Sequence, residues 1–136
     1  MPVLVQAAEG TTRSRRGRVL VVDDQRVVAD SVARLLEYHH DVETASGAAE
    51  ALRRIHEGRQ YDAIVSDLMM PGMSGIDLYD ALARLSPELA ERMVFMTGGA
   101  FTKAARDFLD GVSNPTLDKP FDANRLYAAV NSRVGL

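Results

Sequence analysis

Short apolar runs that end in polar side chains constrain the fold of this chain more than any other feature. Three such runs lie at 19–22, 63–66 and 93–96. The polar residues that follow them are Asp23 and Asp24, Asp67, and Thr97, respectively. Runs of this length, rich in Val, Ile and Met, are typical of buried strands rather than of helices. The sequence therefore predicts buried strands whose carboxyl ends carry polar groups.

Helical patterns fill the intervals between the strand-like runs. We predict strands at 18–23, 41–45, 61–67, 92–97 and 114–118. We predict helices over 25–39, over 47–57, from Ile76 to Leu85, over 101–110, and from Asp122 onward. Strict alternation of this kind is typical of βα units and a parallel sheet. The expected fold class is α/β, a doubly wound sandwich with five strands and five helices.

The predicted strands differ in how apolar they are. The run at 41–45 alternates between polar and apolar residues, which favours an edge strand. The runs at 61–67 and 92–97 are nearly continuous in apolar residues, as expected of strands covered on both faces.

Carboxylates at neighbouring strand ends imply a cation. Ligands of open parallel sheets bind in the crevice outside the carboxyl ends of the strands. Carboxylates that cluster there repel one another unless a positive charge lies among them. Asp23, Asp24 and Asp67 therefore predict a hard divalent metal. Taken singly, Asp24 is better explained as a helix cap, Thr97 as an ordinary strand-end residue, and Lys119 as a surface charge.

Composition sets the limits of the prediction. The chain has 136 residues, no cysteine and a net charge of −3. We expect a leader or linker at 1–17, which is arginine-rich and shows no apolar periodicity over 9–17, followed by one domain at 18–136. The sequence contains no run of about 18 apolar residues, the length that would indicate a membrane-spanning helix. We expect a cytoplasmic domain with no direct nucleic-acid partner, although the arginines of the leader leave such contact as a less favoured alternative.

Four motifs together identify a family resemblance. They are Val-Leu-Val-Val-Asp-Asp at 19–24, Ser-Asp-Leu-Met-Met-Pro-Gly-Met-Ser-Gly at 66–75, Met-Thr-Gly-Gly at 96–99, and Asp-Lys-Pro-Phe at 118–121. In this order and at these strand ends, they make the chain from Arg18 onward resemble the receiver domain of two-component signalling. The resemblance implies a flavodoxin-like sheet with strand order 2-1-3-4-5. It also implies a cis peptide bond between Lys119 and Pro120.

The resemblance assigns a metal site to the acidic residues. It implies that Asp67 accepts a phosphoryl group from a phosphohistidine, with Mg²⁺ as the cofactor. Asp24 and Asp67 would bind Mg²⁺ through oxygen, together with the backbone carbonyl of Met69, while Asp23 would act through a coordinated water. Oxygen ligands of this kind suit Mg²⁺.

The resemblance also assigns the residues that contact the phosphoryl group. Lys119 would supply a positive charge to it, Thr97 a hydroxyl donor, and Gly98 a backbone amide. The implied partner is a histidine kinase or a phosphotransfer protein. The three histidines, His39, His40 and His56, are expected to be surface or partly buried residues on helical segments without a chemical role.

Two departures from the family pattern bear on signalling. Many receivers carry an aromatic residue three positions before the lysine, and this chain has Thr116 there. The usual coupling between the Thr hydroxyl and that aromatic is therefore not expected. Glycines follow Thr97, so we expect phosphorylation to act mainly by ordering the loop at 98–102. Phe101 could replace the aromatic, although a core role is favoured.

Alternatives concern the parent protein and the function. The chain most resembles receivers at the C-terminus of hybrid sensor histidine kinases, so we expect the leader to join a kinase domain, with a free-standing regulator as the alternative because the chain begins with Met1. No DNA-binding domain is expected after Leu136. A receiver-fold interaction module that is never phosphorylated is a further alternative. A haloacid-dehalogenase-type phosphatase is disfavoured, because its second Asp is replaced by Met69.

Overall fold

The computed structural model describes residues 16–98 and 102–135. Within them the chain forms five strands and six helices. The strands are β1 Arg18–Val22, β2 Asp41–Ala45, β3 Ala63–Asp67, β4 Met93–Thr97 and β5 Thr116–Asp118. The helices are α1 Arg26–Leu36, α2 Ala48–His56, α3 Gly75–Leu85, α4 Pro87–Glu91, α5 Lys103–Asp110 and α6 Ala123–Val134.

The strands form one parallel sheet in the order β2-β1-β3-β4-β5, as expected. Every residue of β3 and β4 is buried, which confirms that these strands are central. The edge strand β2 buries only Ala45. The register pairs Asp67 with Met96 and Thr97 with Asp118, so the polar strand ends lie along one edge of the sheet.

Two apolar layers cover the sheet because side chains alternate along each strand. In β1, Leu20 and Val22 face the layer that contains α2, α3, α4 and α5. Val19 and Val21 face the opposite layer, which contains α1 and α6. The doubly wound α/β sandwich is therefore confirmed, with a core on each side of the sheet.

Five helices were predicted, and the additional one in the structure is α4. Pro87 follows the predicted end of the preceding helix at Leu85, and proline commonly lies just beyond a helix end. In the structure Ser86 precedes a new five-residue helix with Pro87 in its first turn. Proline is favoured there because its fixed φ suits a helix and its missing N–H is not needed. Other bounds differ by a few residues; α1, for example, ends at Leu36 rather than near residue 39.

The expectation for His40 was wrong. This residue lies just before β2, and its side chain is 1% exposed. Its Nδ1 accepts a hydrogen bond from the Gly17 amide at 3.1 Å, and its Nε2 lies 2.8 Å from Asn131 Oδ1. His39 and His56 are exposed, as expected.

The predicted leader falls largely outside the described residues. Of its last two residues, Gly17 is buried, and the Arg16 guanidinium donates to the His40 carbonyl at 2.8 Å. The described helices include none long and apolar enough to cross a bilayer. The Lys119–Pro120 bond is cis, as the resemblance implied.

Candidate functional site

Three carboxylates meet at the carboxyl end of the sheet. Asp23 and Asp24 directly follow β1, and Asp67 is the last residue of the neighbouring strand β3. One oxygen from each lies within 4.8 Å of the other two. Asp23 is 1% exposed and Asp67 9%, whereas Asp24 is exposed. The cluster therefore combines two largely buried acids with one that is open to solvent.

One lysine lies beside this cluster. Lys119 Nζ is 3.4 Å from Asp23 Oδ2 and 3.6 Å from Asp67 Oδ1. Three ionised carboxylates and one ammonium leave two negative charges. A divalent cation would therefore neutralise the site, and the oxygen donors suit a hard cation such as Mg²⁺.

The environment of Asp67 disfavours its ionised form. Burial is the main cause, and it raises the pKa of the Asp67 carboxyl above its ordinary value of 3.8. Repulsion from Asp23 and Asp24 raises the pKa further. The Lys119 charge and a hydrogen bond from the Met69 amide oppose the increase without cancelling it. A carboxylate held in this way gains from any cation or donor that enters the site.

Local turns hold the carboxylates in place. Asp23 Oδ1 accepts from the Gln25 amide at 2.8 Å, which fixes the chain as it leaves β1. At Gly75 a Cβ atom would collide with the Asp67 carbonyl oxygen, so the chain needs glycine there. The Gly75 amide donates to the Leu68 carbonyl at 2.9 Å. The close approach of α3 thus sets the position of Asp67.

A capping box fixes the start of α3. The Ser74 hydroxyl accepts from the Asp77 amide at 3.1 Å, and the Asp77 carboxylate accepts from the Ser74 amide at 2.9 Å. Reciprocal bonds of this kind satisfy amides that the first turn of a helix leaves free. The helix therefore begins at a defined residue directly after the loop that follows Asp67.

Thr97 is directed at a residue to which sequence analysis gave no role. Its hydroxyl donates to Asp118 Oδ1 at 2.7 Å. The two residues are register partners at the ends of β4 and β5. The motif that contains Lys119 was recognised, and the strand order brings β5 beside β4, so the pairing of Thr97 with Asp118 could have been deduced from those two facts.

The structure brings together the acids and the lysine named from the sequence. Gly98 lies against the stem of Lys119, since a Cβ there would be 3.5 Å from Lys119 Cδ. Met69 contributes its amide to Asp67, and its assignment as a carbonyl ligand stays a prediction. The expected ordering of the loop at 98–102 and the role of Phe101 concern residues 99–101, which lie outside the described residues.

Aromatic residues lie near Thr116, although not in its strand. Thr116 is the register partner of Phe95 in β4. The Phe95 ring is 5.3 Å from Phe108 of α5 and 6.1 Å from Tyr79 of α3, between ring centroids. Aromatic packing in this region is thus supplied by two helices and β4.

Known sequences resemble this chain over most of its length. Residues 19–131 match the sequence profile of the response regulator receiver domain. The transcriptional regulatory protein TcrA of Mycobacterium tuberculosis (strain ATCC 25618 / H37Rv) is 31% identical over 93% of this chain and 53% of its own length. The response regulator MprA of Mycobacterium sp. (strain KMS) is 33% identical over 85% of this chain and 49% of its own length. The chain therefore spans about half the length of these curated relatives.

Solved structures agree with the fold. A response regulator receiver domain protein from Clostridium thermocellum matches with a TM-score of 0.76 and 28% identity, over 86% of this chain and 93% of its own. A response regulator receiver protein from Pseudomonas putida matches with a TM-score of 0.73 and 30% identity, over 87% and 98%. With the sequence profile covering most of its length, the chain belongs to the response regulator receiver domain family.

Proposed function

We propose that this domain accepts a phosphoryl group on Asp67 from a phosphohistidine, in a reaction that depends on Mg²⁺. Receiver domains of response regulators serve two-component signalling as regulatory domains. The observation that carries the proposal is the position of Asp67, at the end of a central strand between two other acids and Lys119.

Asp67 supplies the nucleophile. One of its carboxylate oxygens attacks phosphorus, and the bond from phosphorus to the histidine nitrogen breaks. The other ring nitrogen of the phosphohistidine is protonated, so the bonding electrons stay on the released nitrogen and the histidine leaves as a neutral imidazole. The product is an acyl phosphate. Because both reactants are negatively charged, such a transfer depends mainly on positioning and on neutralisation of charge.

The acidic cluster would hold the metal. Asp24 and Asp67 would bind it through oxygen with the Met69 carbonyl, and Asp23 would act through a water. Bound Mg²⁺ would offset the repulsion between the carboxylates and the phosphoryl oxygens. Asp24 suits this role because it is exposed and adjacent to the two buried acids.

Lys119, Thr97 and Gly98 would contact the transferred group. The Lys119 ammonium, now beside Asp23 and Asp67, is a compact charge that can turn toward a phosphoryl oxygen. The Thr97 hydroxyl and the Gly98 amide can donate hydrogen bonds. The same residues would assist loss of the phosphoryl group to water, so the domain takes part in its own phosphorylation and dephosphorylation.

The donor would be a histidine kinase or a phosphotransfer protein, and the output a change in protein contacts. A kinase domain in the same parent chain was expected from sequence resemblance. The relatives TcrA and MprA are instead named as regulators. We retain a cytoplasmic setting as part of the proposal, together with no direct contact between this domain and nucleic acid, given its net charge of −3.

Phosphorylation by a small donor tests the proposal. Incubation with Mg²⁺ and acetyl phosphate should add one acid-stable, base-labile phosphoryl group, detected as an increase in intact mass. Asp67→Asn should abolish this increase, because an amide cannot form the acyl phosphate. Asp80→Asn, an exposed position on α3, is the matched control and should be phosphorylated like the parent.

Two results would contradict the proposal. Stoichiometric phosphorylation of Asp67→Asn at a single site would place the acceptor elsewhere. A parent protein that binds Mg²⁺ and stays unphosphorylated by both acetyl phosphate and phosphoramidate would favour an interaction module that is never phosphorylated.

A further inference from the structure

We propose that Asp118 is a positioning residue that holds the Thr97 hydroxyl away from the phosphoryl site and so opposes the phosphorylated state. The inference rests on the proposed function, because it concerns the donor that Thr97 would offer to the phosphoryl group. It assigns a role to an acidic residue outside the cluster formed by Asp23, Asp24 and Asp67.

The contact between Thr97 and Asp118 is short and well supported. The Thr97 hydroxyl oxygen is 2.7 Å from Asp118 Oδ1, within the usual range for a hydroxyl donating to oxygen. The acceptor is a carboxylate, and bonds to ionised acceptors are stronger than those between neutral groups. Thr97 is 2% exposed, so water has little access to its hydroxyl, whereas the Asp118 carboxylate is exposed to solvent.

The backbone holds the two side chains beside each other. Thr97 and Asp118 are register partners at the ends of β4 and β5. The Lys119 amide donates to the Thr97 carbonyl at 2.7 Å, so the pairing continues into the residue that bears the catalytic ammonium. Substitution of the Asp118 side chain leaves these main-chain bonds in place.

A hydroxyl has one proton to donate. While Thr97 donates to Asp118, it cannot also donate to a phosphoryl oxygen on Asp67. Formation of the phosphoryl contact therefore requires the hydrogen bond to Asp118 to break. The free energy of that bond reduces the net stabilisation of the phosphorylated state. Removing the acceptor at position 118 removes that cost.

The test measures the affinity for beryllofluoride, which mimics the acyl phosphate, at saturating Mg²⁺ by NMR titration. Asp118→Ala should bind beryllofluoride about three- to tenfold more tightly than the parent, the range expected for the loss of one competing hydrogen bond. Asp118→Asn should gain less than Asp118→Ala, because its amide oxygen still accepts from Thr97, although through a weaker bond to an uncharged acceptor.

Epistasis separates a positioning effect from a general change in charge. In a Thr97→Val background the donor is absent, so Asp118→Ala should leave the affinity unchanged. An equal gain in the presence and absence of the Thr97 hydroxyl would overturn the inference, as would a gain in Asp118→Asn equal to that in Asp118→Ala.

A measurement on the unsubstituted protein does not depend on the variants. Three-bond couplings of Thr97 should report one side-chain rotamer in the free protein and a different one with beryllofluoride. An unchanged rotamer would overturn the inference while leaving the proposed function intact. Failure of the parent to bind beryllofluoride at all would instead overturn the proposed function, and the inference with it.

Discussion

The two ends of the sheet both bury polar groups, but they balance them differently. At the carboxyl end, Asp23 and Asp67 are largely buried and share Lys119, and the exposed Asp24 lies beside them. Two negative charges are left over, and burial raises the pKa of Asp67. This end is therefore electrostatically incomplete without a cation.

At the opposite end, the buried ring of His40 has a partner for each of its nitrogens. His40 accepts from the Gly17 amide through Nδ1, so the ring proton must be on Nε2, which donates to Asn131 Oδ1 at 2.8 Å. Arg16 donates to the backbone carbonyls of His40 and Glu37. Both ring nitrogens of the buried histidine therefore have a hydrogen-bond partner.

The difference separates function from structure. A buried polar group whose hydrogen-bond partners all lie within the chain needs no ligand to stabilise it. A buried group whose charge is only partly balanced is stabilised further when a ligand of opposite charge binds. By this criterion His40 is structural, whereas Asp67 belongs to the site that changes state.

The largest expected effect is on the structural end. His40→Ala removes a buried ring and leaves the Gly17 amide and the Asn131 side chain without their partner. The free energy of unfolding should fall by about 3 kcal/mol, from a cavity and lost hydrogen bonds. Urea denaturation measures the change.

The matched control is His56→Ala, at an exposed position at the end of α2. It should change the free energy of unfolding by no more than about 0.5 kcal/mol. The increase in stability on addition of Mg²⁺ should be the same in the parent and in His40→Ala. If His40→Ala were as stable as the parent, or were no longer stabilised by Mg²⁺, the two ends would not have the separate roles proposed for them.

Sequence alone was sufficient for the fold class and for the residues that the site brings together. Strand ends in a parallel sheet lie along one edge, so the acids after β1 and β3 had to converge. The strand order came from resemblance to a family. The helix α4 was missed because Pro87 can end one helix or begin the next, and the pattern around it fits both.

The partners of single side chains were beyond sequence analysis. His40 and Asn131 are separated by 91 positions, and nothing in the pair His39-His40 indicates which ring is buried. A glycine at position 75 is compatible with an ordinary turn, so the sequence does not reveal that the Asp67 carbonyl leaves no room for a Cβ atom there. Such contacts depend on the packing of elements, which local patterns do not specify.

The next effect is on metal binding at the incomplete end. Asp24→Asn should weaken Mg²⁺ binding about tenfold, or by ~1.4 kcal/mol, because one ionised oxygen ligand is lost. Without metal the variant should be as stable as the parent or more so, since one repelling charge is gone. Calorimetric titration and thermal unfolding with and without Mg²⁺ measure the two effects.

Asp80→Asn removes the same charge from the exposed surface of α3 and should leave Mg²⁺ binding unchanged. If Asp24→Asn bound Mg²⁺ as well as the parent, Asp24 would not be a ligand. It is not the cap of α1 either, because Gln25 occupies that position. Equal weakening by both variants would indicate a general effect of net charge.

The smallest effect is a pH dependence at Asp67 in the absence of metal. Burial, aided by Asp23 and Asp24, raises the pKa of Asp67 above its ordinary value of 3.8, so the folded protein holds this proton more tightly than the unfolded chain. Protonated Asp67 therefore contributes stability that is fully present below pH 3.8 and is lost as the pH rises through the raised pKa.

Asp67→Asn is always neutral, so its stability advantage over the parent in EDTA should be greatest at neutral pH. The advantage should shrink as the pH falls toward about 4, measured by urea denaturation at each pH. Asp80→Asn should show no such trend, and an Asp67→Asn advantage that stayed constant with pH would mean that the carboxyl end of the sheet is as well balanced as the end that holds His40.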